Sequence, residues 1–85
     1  MNNNKIDVLR KEMKGCKYRH LKGGMYVVID LAIHTETDEI MVVYKNMEEP
    51  DLVWCRPLNV FISKVDHKKY PDVEQTMRFE KFEEM

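Results

Sequence analysis

The chain lacks any long apolar run. Nothing in its 85 residues approaches the ~20 needed to cross a bilayer, and Met1-Asn2-Asn3-Asn4-Lys5 leads into no stretch of signal-peptide length. A cytoplasmic protein without a membrane partner is expected. Cysteine is scarce: Cys16 and Cys55 form no closely spaced pair, so they read as free thiols in a reducing compartment. Ser63 is the sole serine and has no Gly-rich elbow around it, which disfavours a serine nucleophile. Three glycines, Gly15 and the pair Gly23-Gly24, fall far short of a phosphate-cradling loop or a dinucleotide fingerprint. Cys16, His20, His34, Cys55 and His67 include no Cys-x-x-Cys and no His-x-x-x-His, although Cys16 and His20 would share one face of a strand. Neither a metal nor a cofactor is expected. A thiol nucleophile at Cys55, served by His20 or His34, is weaker than the reading of Cys55 as a small hydrophobe at a strand end. The expectation is therefore a protein that is not an enzyme.

Charge of one sign is not in excess either. The net charge is −1, so the chain is no polycation that would cling to duplex DNA. Its charges come in blocks instead: +5 over residues 1–24, −6 over 25–51, +3 over 52–70 and −3 over 71–85. Such blocks fit against one another within a fold or in an oligomer. Hydrophobic residues at 44% and charged residues at 34% place the chain among globular proteins. A domain this short buries only roughly 60–65% of the surface its unfolded chain exposes. A thin core of that kind gains from a second copy, and a homo-oligomer is expected.

Local patterning gives an N-terminal helix or extension over residues 1–14, a small β domain over 15–82 and a loose tail, 83–85. Asn4 suits an N-cap answered by Asp7, Gly15 suits the C′ position, and Ile6, Leu9 and Met13 form one narrow apolar stripe. Residues 16–21 read as a strand ended by Gly23-Gly24. Residues 25–34 alternate strictly, with Val27, Ile29, Leu31 and Ile33 on one face and Tyr26, Val28, Asp30, Ala32 and His34 on the other. Thr35-Glu36-Thr37-Asp38 closes a hairpin onto residues 40–45. After the acidic loop 46–51 a short strand, 52–56, leads to Pro57. There Leu58, Phe61, Ile62 and Val65 have helical spacing, although a β reading of 60–65 stays open. A connection over 66–76 precedes a last strand at 77–82. Four or five antiparallel strands with one helical turn before the last describe a mainly β, small SH3-like barrel.

The succession Lys17-x-Arg19-His20-x-Lys22-Gly23, Tyr26-x-Val28, His34-Thr35-Glu36-Thr37, Val42-Val43-Tyr44-Lys45 and Trp54-x-Arg56-Pro57-Leu58-x-x-Phe61 resembles a known family. It is similar to the short bacterial and phage proteins grouped as domain-of-unknown-function family sixteen fifty-three. The resemblance covers about residues 15–65, and Arg78-Phe79-Glu80 is similar to that family's Arg-Phe ending. It implies a compact, mostly β domain of SH3-like character without an assigned activity. Three features depart from the pattern: the helix of residues 4–14, the acidic loop Glu48-Glu49-Pro50-Asp51 where a glycine-containing turn is usual, and the connection over residues 70–76.

The remaining chemistry is aromatic and basic. Tyr18, Tyr26, Tyr44 and Trp54 fall on four different strands, while His20, Lys22 and Arg56 fall at strand ends. A flat ring stacks on a nucleobase, and arginine supplies a fork of donors for phosphate or carboxylate. The competing reading makes Trp54 and at least two of the tyrosines core, with Arg56 paired to Asp30 or Glu36 as a brace. On this set the expected function is a non-catalytic binding module for a small anionic ligand, with nucleotide-derived ligands the first candidates. The phage look-alikes bring in sequestration of a nucleotide signal as an analogy. The alternatives are a protein or peptide module using an SH3-like groove, and an RNA or single-stranded DNA binder.

Overall fold

The computed structural model describes residues 3–82. It contains a helix α1 (Asn3–Met13), strands β1 (Lys17–His20), β2 (Met25–Ile33), β3 (Ile40–Asn46) and β4 (Val53–Pro57), a helical turn α2 (Leu58–Phe61) and a last strand β5 (Phe79–Phe82). The helix starts one residue ahead of the Asn4 cap read from the sequence, and the expected loose tail, 83–85, lies outside the described residues.

All five strands form one antiparallel sheet in the order β4-β3-β2-β1-β5. The protein is mainly β, and its strand order, with a helical turn between the last two strands, is consistent with the SH3-like expectation. The turn between β1 and β2 needs its glycine: Gly23 has φ 100°, a conformation that costs a side-chain-bearing residue about 1 kcal/mol or more. At the next turn Asp38 takes φ 62°, and His34 closes the hairpin by donating its N–H to Glu39 O at 2.8 Å.

Strict alternation along β2 is broken. The register passes from Val28 opposite Tyr44 to Asp30 opposite Val43, so Ile29 is an extra residue, a β-bulge. A one-residue insertion reverses the faces downstream. The inward residues of β2 are consequently Tyr26 and Val28 before the bulge and Leu31 after it, while Ile29 and Ile33 are exposed. Ile62 departs from its expected place for a similar reason: α2 is a single turn ending at Phe61, so Leu58, Phe61 and Val65 are buried and Ile62 stands exposed.

The core gathers buried residues of the sheet, α1 and α2. Phe61 and Phe79 stack with centroids 4.0 Å apart and planes within 8°, and Tyr18 and Tyr44 meet the Phe61 edge-on at 5.2 and 5.5 Å. Each such pair is worth about 0.5–1.5 kcal/mol beyond the area it buries. The helix contributes Ile6 and Met13 to the same core, with Leu9 packed against it. Its narrow apolar stripe is thus used inside the chain. No helix of the described residues is long and apolar enough to cross a membrane.

Candidate functional site

Residues two apart on a strand point the same way, so Trp54 and Arg56 on β4 face one side together. Opposite Trp54 in the ladder stands Tyr44 of β3, which pairs on its other flank with Val28 of β2, and two residues before Val28 the same strand brings in Tyr26, opposite Asn46. The Tyr26 and Tyr44 rings meet edge-to-face at 5.4 Å. Beside them the chain leaving β3 turns at Asn46. Glu48 donates its N–H to Asn46 Oδ1 at 2.7 Å, Glu49 donates to Asn46 O at 3.3 Å and Leu52 donates to Glu49 O at 3.1 Å. These elements enclose a cleft of about 330 Å³ lined by Tyr26, Tyr44, Asn46, Glu49, Trp54 and Arg56. That is the lower end of the size range of small-molecule sites.

Arg56 is held by rings. Its guanidinium carbon lies 5.3 Å from the Phe79 centroid and 6.0 Å from that of Tyr44. Among the described residues it makes no ion pair and no hydrogen bond. The brace proposed for it goes elsewhere: Asp30 accepts from Arg10 Nε at 3.0 Å and lies 4.0 Å from Lys14 Nζ, while Glu36 sits exposed in the β2–β3 turn. Contact with ring faces engages the arginine's charge and leaves its N–H donors, which lie in the guanidinium plane, available.

Four of the seven residues singled out from the sequence, Tyr26, Tyr44, Trp54 and Arg56, therefore come together. Tyr44 is nearly all core, and Trp54 is half exposed at 51%. The other three lie outside the lining. Tyr18 is buried in the core against Phe61, where desolvation, and then Cys16 and Glu12, push its hydroxyl pKa up to about 12. Lys22 reaches the Tyr70 ring at 5.9 Å. His20 sits behind the cleft, 4.8 Å from Phe79 and 6.3 Å from Tyr26. Burial lowers its pKa below the ordinary 6.5, and the charges of Arg56, Arg78 and Lys22 lower it further. Of the two thiols, Cys16 donates to Glu12 O at 3.2 Å and Cys55 is exposed on β4.

Sequence reasoning missed Asn46, Glu49 and Phe79. The first two sit in the acidic loop, which read as a mere connection; its departure from the family's usual glycine-containing turn was the available signal. The family described as "Protein of unknown function (DUF1653)" matches residues 16–81. The chain belongs to this family. The match covers β1 to β4, all of β5 but its last residue, and every residue of the cleft, and leaves residues 1–15 and 82–85 outside. No curated protein and no solved structure matches the chain.

Proposed function

We infer that the protein is a non-catalytic binding module whose cleft takes a small anionic ligand, nucleotide-derived ligands being the first candidates. The observation that carries this reading is Arg56: a half-buried guanidinium laid on Phe79 and Tyr44, with no carboxylate partner among the described residues, opening onto a cleft walled by Trp54. Charged residues are rarely withdrawn from water without a partner, and an anion with a flat ring supplies both what the arginine lacks and what Trp54 stacks on.

Trp54 is the only tryptophan, so its emission reports on the cleft directly. Nucleoside monophosphates and cyclic nucleotides are expected to quench it. Arg56→Ala should weaken that binding by about 1.5–3 kcal/mol, the range for a hydrogen bond to a charged group, with thermal stability changed by no more than about 1 kcal/mol for the lost ring contacts. An unfolded Arg56→Ala variant would make the residue a brace, and a wild type that answers no nucleotide would overturn the reading.

A second reading rests on β4 itself. Among the described residues it pairs only with β3, so its outer backbone edge has no ladder partner, and Leu52, Val53 and Trp54 are exposed along it at 47%, 58% and 51%. An unprotected edge of this kind accepts an added strand. The strand can come from a peptide partner or from a second copy of the chain, the homo-oligomer expected from the sequence. Sedimentation that shows a monomer at high micromolar concentration would exclude the second copy.

A further inference from the structure

The cleft holds two opposite charges that do not neutralise each other. Arg56 and Glu49 both line it, yet among the described residues neither takes part in an ion pair. The turn that carries Glu49 is fixed by its own backbone bonds, and a further bond from its backbone sets the direction of the Asn46 side-chain amide. Asn46 Oδ1 accepts the Glu48 N–H at 2.7 Å, so the free end of that amide is its NH₂ group, a donor. The Glu49 carboxylate makes no hydrogen bond among the described residues and is an acceptor only. Asn46 and Glu49 of this turn line the cleft together with Tyr26, Tyr44, Trp54 and Arg56, so the turn has a charged acceptor and a neutral donor to offer a ligand there.

We propose that this turn reads the base of a guanine nucleotide. Glu49 accepts from the N1–H and the 2-amino group, Asn46 donates to O6, Trp54 stacks on the ring and Arg56 holds the phosphate. The assignment rests on the reading of the cleft as an anion site and adds the base that it selects. Among the four common bases, guanine alone places two donors side by side on its pairing edge with a carbonyl next to them. Adenine and cytosine set a lone pair beside the amine, and uracil flanks its single N–H with two carbonyls. Each of those turns lone pairs toward a carboxylate that has no proton to give, and a site built to hydrogen-bond one edge rejects an analogue that lacks the matching groups.

The test is a set of fluorescence titrations with GMP, IMP and AMP, where IMP is guanosine's analogue without the 2-amino group. GMP is expected to bind roughly 10- to 150-fold more tightly than AMP, the factor that one charge-assisted hydrogen bond supplies, with IMP between them. Glu49→Gln should remove most of the preference for GMP over AMP, while Arg56→Ala weakens all three alike. Glu49 is exposed, so Glu49→Gln is expected to fold, and its melting temperature checks that. Equal binding of GMP and AMP, or an unchanged preference in folded Glu49→Gln, overturns the guanine assignment and leaves the anion site standing, provided binding still depends on Arg56. Absence of any response to all three nucleotides overturns both.

Discussion

The guanidinium of Arg56 rests 5.3 Å from the centre of the Phe79 ring, although Arg56 belongs to β4 and Phe79 to β5, the two opposite edges of the sheet. Such contact requires the sheet to coil enough to bring a long side chain of one edge strand over a ring of the other, while among the described residues the two backbone edges stay unpaired. The extra residue at Ile29 in β2 supplies the bend, because a bulge increases local twist. Core and site therefore meet in one ring: Phe79 stacks on Phe61 with centroids 4.0 Å apart and also supports the Arg56 guanidinium.

Phe79→Ala is accordingly expected to destabilise the domain by about 3–5 kcal/mol, the usual range for removing a buried phenylalanine. For a domain of this size that is most of the available stability. Urea denaturation followed by circular dichroism would measure it. A loss below about 1 kcal/mol would mean that the stack contributes little and that β5 is held chiefly by its ladder with β1.

Much of this arrangement was legible in the chain. Gly23-Gly24 marks the first hairpin, Pro57 ends β4, and the i, i+2 spacing of Trp54 and Arg56 puts both on one face, since each follows from local backbone chemistry. Ile29 was not legible, because a bulge is a relation between two strands and leaves no mark in the alternation of one. For the same reason the ladder that sets Tyr44 opposite Trp54, and so brings Glu49 and Asn46 to the cleft, cannot be read from periodicity. Tyr18 shows the converse: strand position and residue type are the same as for Tyr26, its ladder partner, yet it is buried in the core and lies outside the cleft lining.

Asp30 clips α1 to the sheet beside the bulge. Its Oδ1 accepts from the Leu31 N–H at 2.7 Å and from Arg10 Nε at 3.0 Å, and Arg10 also donates to Leu31 O at 3.1 Å. The backbone bond from Leu31 is the main reason that its carboxyl titrates below the ordinary 3.8, with Arg10 and Lys14 adding to it. Asp30→Ala should cost about 1–2 kcal/mol, discounted for the solvent that screens a side chain 40% exposed. Asp30→Asn, which keeps an acceptor, should lose less. Equal urea midpoints for wild type and Asp30→Ala would show that α1 is held by Ile6 and Met13 alone.

Gly24 faces the Tyr26 ring so closely that a Cβ added there would stand 2.8 Å from Tyr26 Cε2 and 3.0 Å from its hydroxyl. The ring has little room to retreat, being in edge contact with His20, Tyr44 and Phe79. Gly24→Ala should therefore cost about 1–3 kcal/mol, as overpacking does, and displace a wall of the cleft. Calorimetry gives the first effect, and nucleotide titration of Trp54 emission the second. A variant as stable as wild type with unaltered titrations would show that Tyr26 yields freely and plays no part in shaping the cleft.

His20 is expected to make the fold sensitive to mild acid. Its Nδ1 accepts the Lys22 N–H at 3.2 Å, so the neutral ring is the form that fits, and burial, followed by Arg56, Arg78 and Lys22, holds its pKa below 6.5. The unfolded chain, with an ordinary histidine, then takes up a proton at a pH where the folded protein does not, and stability must fall as pH falls. The contribution of His20 is complete above about pH 6.5, is lost as pH drops through the lowered folded value, and is constant below it. His20→Gln should flatten the dependence of melting temperature on pH between about 7 and 5, a window above that of Asp30. Parallel pH profiles for the variant and the wild type would place the acid sensitivity in another group and remove His20 from the electrostatics of the cleft.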